Sequence, residues 1–225
     1  MNQFSTQFRY TDRETKAKYV WLKYRSILKG HILDVGADKC YLKGYLQEGT
    51  HYVGIGLGGS PDQVVDLQKQ RIPFPDNSFD CVLCLDTLEH LENIHDVFDD
   101  FCRVTRQWAI ISLPNPWANF WAALRRADYG AGQHIKFYGL PVERPEDRHR
   151  WFFSSAEAEA FVRQRTARNG MAVVQIDYEG MRRKAGGWRG LIQTVARRVL
   201  LRKDIDGRVL YAGRLWAVLE KRLSR

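Results

Sequence analysis

Apolar and polar positions along the chain fall into two patterns. Short unbroken apolar runs are closed by turn residues, and longer stretches repeat at helical spacing. The sharpest run is Phe79–Leu85 (FDCVLCL), opened by Pro73, Pro75, Asp76, Asn77 and Ser78, residues that end whatever precedes them. Its continuity from Cys81 to Leu85 predicts a strand buried on both faces in a parallel sheet. Residues 31–36 (HILDVG), 51–57 (HYVGIGL) and 108–114 (WAIISLP) predict further strands, the last stopped by Asn115-Pro116. Between them, residues 12–29 predict an amphipathic helix ended by Gly30. Residues 39–47 predict a second helix with Asp38 as N-cap, and residues 94–106 a third that packs on the sheet. Strand–helix alternation through residue 114 predicts a doubly wound α/β sheet.

The rhythm then changes. Residues 117–127 (WANFWAALRRA) predict an aromatic helix, broken at Gly130-Ala131-Gly132, and 117–150 as a whole reads as a lid inserted after the fifth strand. A helix is expected over 155–169, capped by Ser155 and stopped by Gly170. Strands follow over 172–178 and 214–219, the latter closing an antiparallel pair. Between these two lies a basic amphipathic insertion, 182–206, with an apolar stripe through Trp188, Leu191, Ile192, Val195 and Val199.

Length and composition refine this picture. At 225 residues with 44% hydrophobic content, one domain with a sizeable core is expected. The opening MNQFSTQFRYTDRETK lacks the apolar core of a secretory leader, and no stretch has the length of a transmembrane helix. The four cysteines show no disulfide framework, and Cys81 and Cys84 of the CxxC point to opposite faces of a strand, so buried thiols and a reducing cytoplasm are expected. Residues 181–225 hold thirteen Lys/Arg against three Asp/Glu, whereas residues 1–180 hold 22 against 23. A near-neutral body with a basic tail follows. The insertion can lie on an anionic membrane through 182–203, or pack on the domain with its basic face solvated. Nucleic acid is not the expected partner, because no recognisable module joins the basic residues to aromatic platforms.

The stretch PFPDNSFDCVLCLDTLEHL resembles the fourth-strand motif of class I S-adenosylmethionine-dependent methyltransferases (methyltransferase type 11-like domain), and HIKFYGLP and RHRWFFS resemble segments beside that family's acceptor pocket. The resemblance covers about residues 30–180. It implies a Rossmann-like, mostly parallel seven-stranded sheet with a C-terminal antiparallel strand pair and a helical lid after strand 5. It also implies S-adenosylmethionine as cofactor, held by Asp34, Gly36, Ala37 and Asp38 in the first turn, Gly56 and Leu57 after the second strand, and Asp66, Leu67, Leu85 and Asp86 beyond. Two features depart from the family. The glycine loop D-x-G-x-G-x-G is degenerate, with Asp38 and Cys40 in place of its later glycines. Gly56 stands where the family has an acid that holds both ribose hydroxyls, a loss worth about 1.5–3 kcal/mol. Asp62 in the next turn is a second source for that contact or merely a turn residue.

Methyl transfer needs little beyond positioning and, for a hydroxyl acceptor, a base. His90 and His134 are the candidate catalytic residues, with His149 also in the lid. His90 can instead brace the following helix. No metal is expected, although Asp86-x-x-Glu89-His90 resembles the acidic-x-x-Glu-His metal motif of some catechol and RNA-end methyltransferases. The expected activity is O-methylation of a small molecule, sugar or envelope glycolipid. A non-catalytic scaffold that has lost its cofactor, and an RNA methyltransferase, are the alternative readings.

Overall fold

The computed structural model describes residues 3–126, 138–140, 142–145, 147–179, 195 and 212–222. The basic insertion 182–206, apart from Val195, and His134 lie outside the described residues. The strands are β1 (His31–Val35), β2 (His51–Gly56), β3 (Gln63–Val64), β4 (Phe79–Leu85), β5 (Thr105–Pro114), β6 (Met171–Glu179) and β7 (Arg214–Lys221). They form one seven-stranded sheet in the order β3-β2-β1-β4-β5-β7-β6. β1 to β5 pair in parallel, and β7 is antiparallel to both β5 and β6. Strand order reverses between β1 and β4, and a parallel sheet opens its ligand crevice at the carboxyl ends of such a pair.

Among the described residues the α-helices are α1 (Arg13–Tyr24), α2 (Ile94–Val104), α3 (Pro116–Arg125) and α4 (Ser155–Arg168). The unbroken apolar run of β4 is explained by the two cores it separates. Val82 and Cys84 face α2 and α4 among Phe98, Phe101 and Val162. Cys81 and Leu83 face α1 among Val20, Tyr24 and Trp216. The two thiols of the CxxC thus lie in different cores, fully buried.

α1 is tied to the far edge of the sheet by charge and aromatic packing. Lys23, only 7% exposed, pairs with Asp177 at 2.8 Å and lies over the rings of Tyr24 and Trp216. Ahead of α1, the Phe4 backbone exchanges two hydrogen bonds with the Gln175 amide. Among the described residues no helix is long and apolar enough to cross a membrane.

Three local expectations are corrected. The segment after β1 is a short 3-10 turn, Tyr41–Tyr45, and Asp38 does not cap it. Asp38 and Cys40 both have positive φ (49° and 53°), a left-handed backbone that keeps residues 38–40 out of the helix and delays its start to Tyr41. α1 ends at Tyr24 rather than at residue 29. α4 is capped by Ser154, not Ser155. The Ser154 hydroxyl accepts from the Glu157 amide while the Glu157 carboxylate accepts from the Ser154 amide.

Candidate active site

A cleft of about 880 Å³ opens over the carboxyl ends of β1, β2 and β4. Its floor is glycine backbone. Gly36 (φ +84°) follows β1 directly, and a Cβ there would fall 2.0 Å from the Thr87 hydroxyl. That hydroxyl donates to the Val35 carbonyl and locks the loop after β4 to the loop after β1. The amides of Gly36 and Ala37 both donate to the Ile55 carbonyl, at 2.8 and 3.1 Å. Beneath this floor the Asp34 carboxylate accepts from the Tyr52 hydroxyl at 2.8 Å. Burial, only partly offset by that bond, pushes the Asp34 carboxyl up to about 6.

The two residues that replace family glycines keep the glycine backbone, and each is matched by a glycine elsewhere. The Asp38 carbonyl accepts from the Ser60 amide at 2.7 Å, and its carboxylate pairs with Arg13. Asp38 Oδ1 lies over Gly59 (φ +81°), where a Cβ would come within 2.3 Å of it. Cys40 Sγ sits against Gly54, where a Cβ would come within 2.4 Å. Side chains gained in the loop after β1 are thus matched by glycines in β2 and the loop that follows it. Asp38 thereby places a carboxylate at the tip of β2, where Gly56 has none. A Cβ on Gly56 would meet nothing closer than 3.6 Å, so the space above it is open.

The other positions around the cofactor end are distributed as follows. Leu57 is 66% exposed at the rim, and Leu67 is buried below it. Asp66 lines the cleft while accepting from the Gln68 amide and pairing with Lys69 at 2.9 Å. Asp62 is turned away. It accepts from the Gly54 amide at 2.9 Å, pairs with Lys43 at 2.8 Å and does not line the cleft.

Leu85 leads into Asp86, which has φ +51° and a carboxylate shared by Lys16 (2.9 Å), Arg214 (2.8 Å) and the Ser112 hydroxyl (2.7 Å). Burial raises its carboxyl, but Lys16 and then Arg214 outweigh that effect and hold it well below the usual range. Arg214 also bonds to Tyr10 and pairs with Glu179, so this wall joins the N-terminal segment, α1, β4 and β7. Asp86 is therefore committed to two cations and is not grouped with Glu89 and His90 as the spacing suggested.

His149 takes the place that the spacing gave to Asp86. Glu89 and His90 lie on a 3-10 turn after β4 (Leu88–His90), and the segment around 149 is stitched onto that turn. The Arg150 amide donates to the Glu89 carbonyl at 2.8 Å, and the Trp151 indole to the Leu91 carbonyl at 2.7 Å. Glu89 Oε1 lies 3.8 Å from His90 Nε2 and 3.9 Å from His149 Nε2, and the two imidazole rings meet edge to face. Glu89 is 1% exposed, and its Oε2 has no hydrogen-bond partner. Asp147 meets His90 Nδ1 at 2.6 Å, and the Tyr138 hydroxyl meets His149 Nδ1 at 3.0 Å. Burial, then the Asp86 charge, pushes the Glu89 carboxyl well up. Burial, then His90, pushes His149 down to about 4, so its ring is neutral at pH 7. Sequence reasoning placed His149 in the lid but missed its partnership with Glu89, along with Asp147 and Tyr138. The available signal was a polar–aromatic run, RHRWFF, inside the insertion.

Comparison with known proteins agrees with this geometry. Residues 45–113 match a family model described as a methyltransferase domain. No curated protein sequence matches the chain. An S-adenosylmethionine-dependent methyltransferase from Mesorhizobium loti shares the fold at 15% identity and TM-score 0.53, over 90% of this chain and 97% of that one. Magnesium protoporphyrin IX methyltransferase from Synechocystis PCC 6803, solved with bound SAH, aligns at 15% identity and TM-score 0.51, over 93% and 83%. The [4+2]-cyclase SpnF aligns at 12% identity and TM-score 0.56, over 98% and 86%. Residues 45–113 thus carry a methyltransferase-domain match, and the sheet, with its reversed final strand and glycine-floored cleft between β1 and β4, has the fold of S-adenosylmethionine-dependent methyltransferases.

Proposed function

We propose that this methyltransferase, with S-adenosylmethionine as cofactor, methylates a hydroxyl oxygen of a small molecule, sugar or envelope glycolipid. The observation that carries this reading is the two-ended cleft. One end is floored by Gly36, Ala37 and Gly56, and the other is closed by Glu89, His90 and His149. The cofactor fits the first end because the glycine backbone leaves open space above Gly56. Asp38 and Asp66 offer carboxylates on either side, and Leu57 and Leu67 offer apolar surface. When bound, the cofactor supplies a methyl group on a sulfonium, and in-line positioning alone supplies about 7–11 kcal/mol of the barrier reduction.

A hydroxyl acceptor must also lose a proton, and the Glu89–His90–His149 cluster stands where that proton would leave. Asp147 on His90 Nδ1 keeps the Nε2 lone pair turned toward Glu89. An amine or carbon acceptor would have less use for such a cluster. For a glycolipid acceptor, the basic stretch 182–203 would hold the protein on an anionic surface.

The test is incubation with methyl-labelled S-adenosylmethionine and panels of hydroxylated, amine and carbon acceptors. Methyl ether products are expected. No cofactor binding up to millimolar concentration, or turnover confined to amines or carbon, would overturn the reading.

A further inference from the structure

The far end of the cleft has the donor set of a metal centre. Glu89, His90 and His149 each present a ligand atom, and these atoms all lie within 4.8 Å of one another. The two imidazole tautomers follow from their outer partners. The Asp147 carboxylate accepts from His90 Nδ1–H, which leaves the Nε2 lone pair facing Glu89. The Tyr138 hydroxyl donates its only proton to the Trp151 carbonyl at 2.9 Å, so toward His149 it accepts from Nδ1–H. The His149 Nε2 lone pair then faces Glu89 as well.

Two nitrogen lone pairs and a carboxylate oxygen converge at 3.8 and 3.9 Å, too far apart for hydrogen bonds among themselves. Metal–ligand bonds of about 2.0–2.2 Å in a tetrahedral site put ligand atoms about 3.3–3.6 Å apart, so a shift of a few tenths of an ångström brings each Glu89–histidine separation to that length. An independent observation points the same way. Glu89 Oε2 is buried without a hydrogen-bond partner, an arrangement that is unfavourable for a carboxylate unless a proton or a cation neutralises it.

We propose that Glu89, His90 and His149 bind a divalent transition-metal ion, with an open coordination position facing the cleft. Two imidazoles and one carboxylate suit zinc, manganese or iron better than calcium or magnesium, which prefer all-oxygen sites. Asp147 and Tyr138 act as positioning residues, holding each imidazole in its ligating tautomer. The catalytic use of the ion rests on the methyl-transfer reading. There it would take the acceptor hydroxyl in its open position, lower that hydroxyl's pKa and let the proton pass to solvent before the oxygen attacks. Binding of the ion itself does not depend on that reading.

The experiment is titration of chelator-treated full-length protein with zinc by calorimetry, and with cobalt by visible absorption, without S-adenosylmethionine. One ion per chain with micromolar or tighter affinity is expected, with the cobalt absorption of a low-coordinate site. Glu89→Gln and His149→Ala should each weaken binding at least 100-fold, and Asp147→Asn about 10–100-fold. Should the buried Glu89 variant misfold, His90→Ala on the partly exposed ring gives the same readout. The exposed neighbours His31 and His51, with ring centroids 4.9 Å apart, are the control for adventitious binding. Stoichiometric binding that survives His90→Ala and His149→Ala but is lost in His31→Ala, or no binding at all, overturns the proposal. Calorimetry with S-adenosylmethionine on the metal-free protein separates the two failures. A protein that binds and uses the cofactor without metal loses only the metal site, and one that binds metal but no cofactor loses only the methyl-transfer reading.

Discussion

Asp38 carries two opposed roles. A non-glycine residue in the left-handed region costs about 1–2 kcal/mol, and the Arg13 pair beside it, 70% exposed on the arginine side, returns little of that. Retaining the side chain is intelligible if its carboxylate supplies the cofactor contact that Gly56 lacks. Asp38→Gly should therefore raise stability by about 1 kcal/mol in urea unfolding while weakening S-adenosylmethionine about tenfold in calorimetry. Unchanged affinity in that variant would remove Asp38 from the cofactor site.

Asp34 shows the same tension in its titration. Its folded pKa of about 6 lies above the unfolded value near 3.8, so its contribution is fully present below about pH 4 and is lost as pH rises toward 6. The loss integrates to about 3 kcal/mol as an upper bound. Asp34→Asn, which can still accept from Tyr52, should flatten stability between pH 4 and 6 and raise it at pH 7, read from unfolding midpoints against pH.

Strand β2 is shaped by the loop it faces. Gly54 lies mid-strand, where glycine weakens a sheet, yet a Cβ there would collide with Cys40 Sγ and Ala37 Cβ. Gly54→Ala should destabilise by about 1–3 kcal/mol. Adding Cys40→Ala should recover part of this, because the closest clash is gone, with a coupling of about 1 kcal/mol in a double-mutant cycle. Additive losses would mean that the loop and strand are not packed as a unit. The final strand has a comparable dependence. β7 delivers Arg214 to Asp86 from 128 residues away, so the charge at the end of β4 depends on the last strand of the chain pairing with β5.

The distribution of charge over the molecule makes a further prediction. A near-neutral body and a tail with thirteen cations against three anions should sort the protein onto anionic vesicles without specific lipid recognition. Replacing Arg197 and Arg198 with Glu should abolish sedimentation with phosphatidylglycerol vesicles and leave S-adenosylmethionine affinity unchanged. Sedimentation that persists in this variant, or that resists high salt, would count against the tail as the contact.

Much of this architecture was legible in the order of residues, because it depends on local spacing. The run of β4, the turn before it, the helical period of α2 and the glycine after β1 each express a preference that neighbouring residues settle among themselves. Asp34 and Gly36 could be placed at the end of the first strand for the same reason, whereas Asp66 was placed only through the family resemblance. What could not be read depends on distances through space. The spacing Asp86-x-x-Glu89-His90 looks like one cluster, but φ +51° at Asp86 and the approach of Lys16 and Arg214 turn its carboxylate to another wall. His149 enters beside Glu89 only because Arg150 and Trp151 pin the inserted segment to the turn after β4. The exchanges of Asp38 with Gly59 and of Cys40 with Gly54 are likewise contacts between separate loops. Local chemistry sets which elements form and in what order, whereas packing sets which side chains share a volume, and the chemistry of this cleft depends on the shared volume.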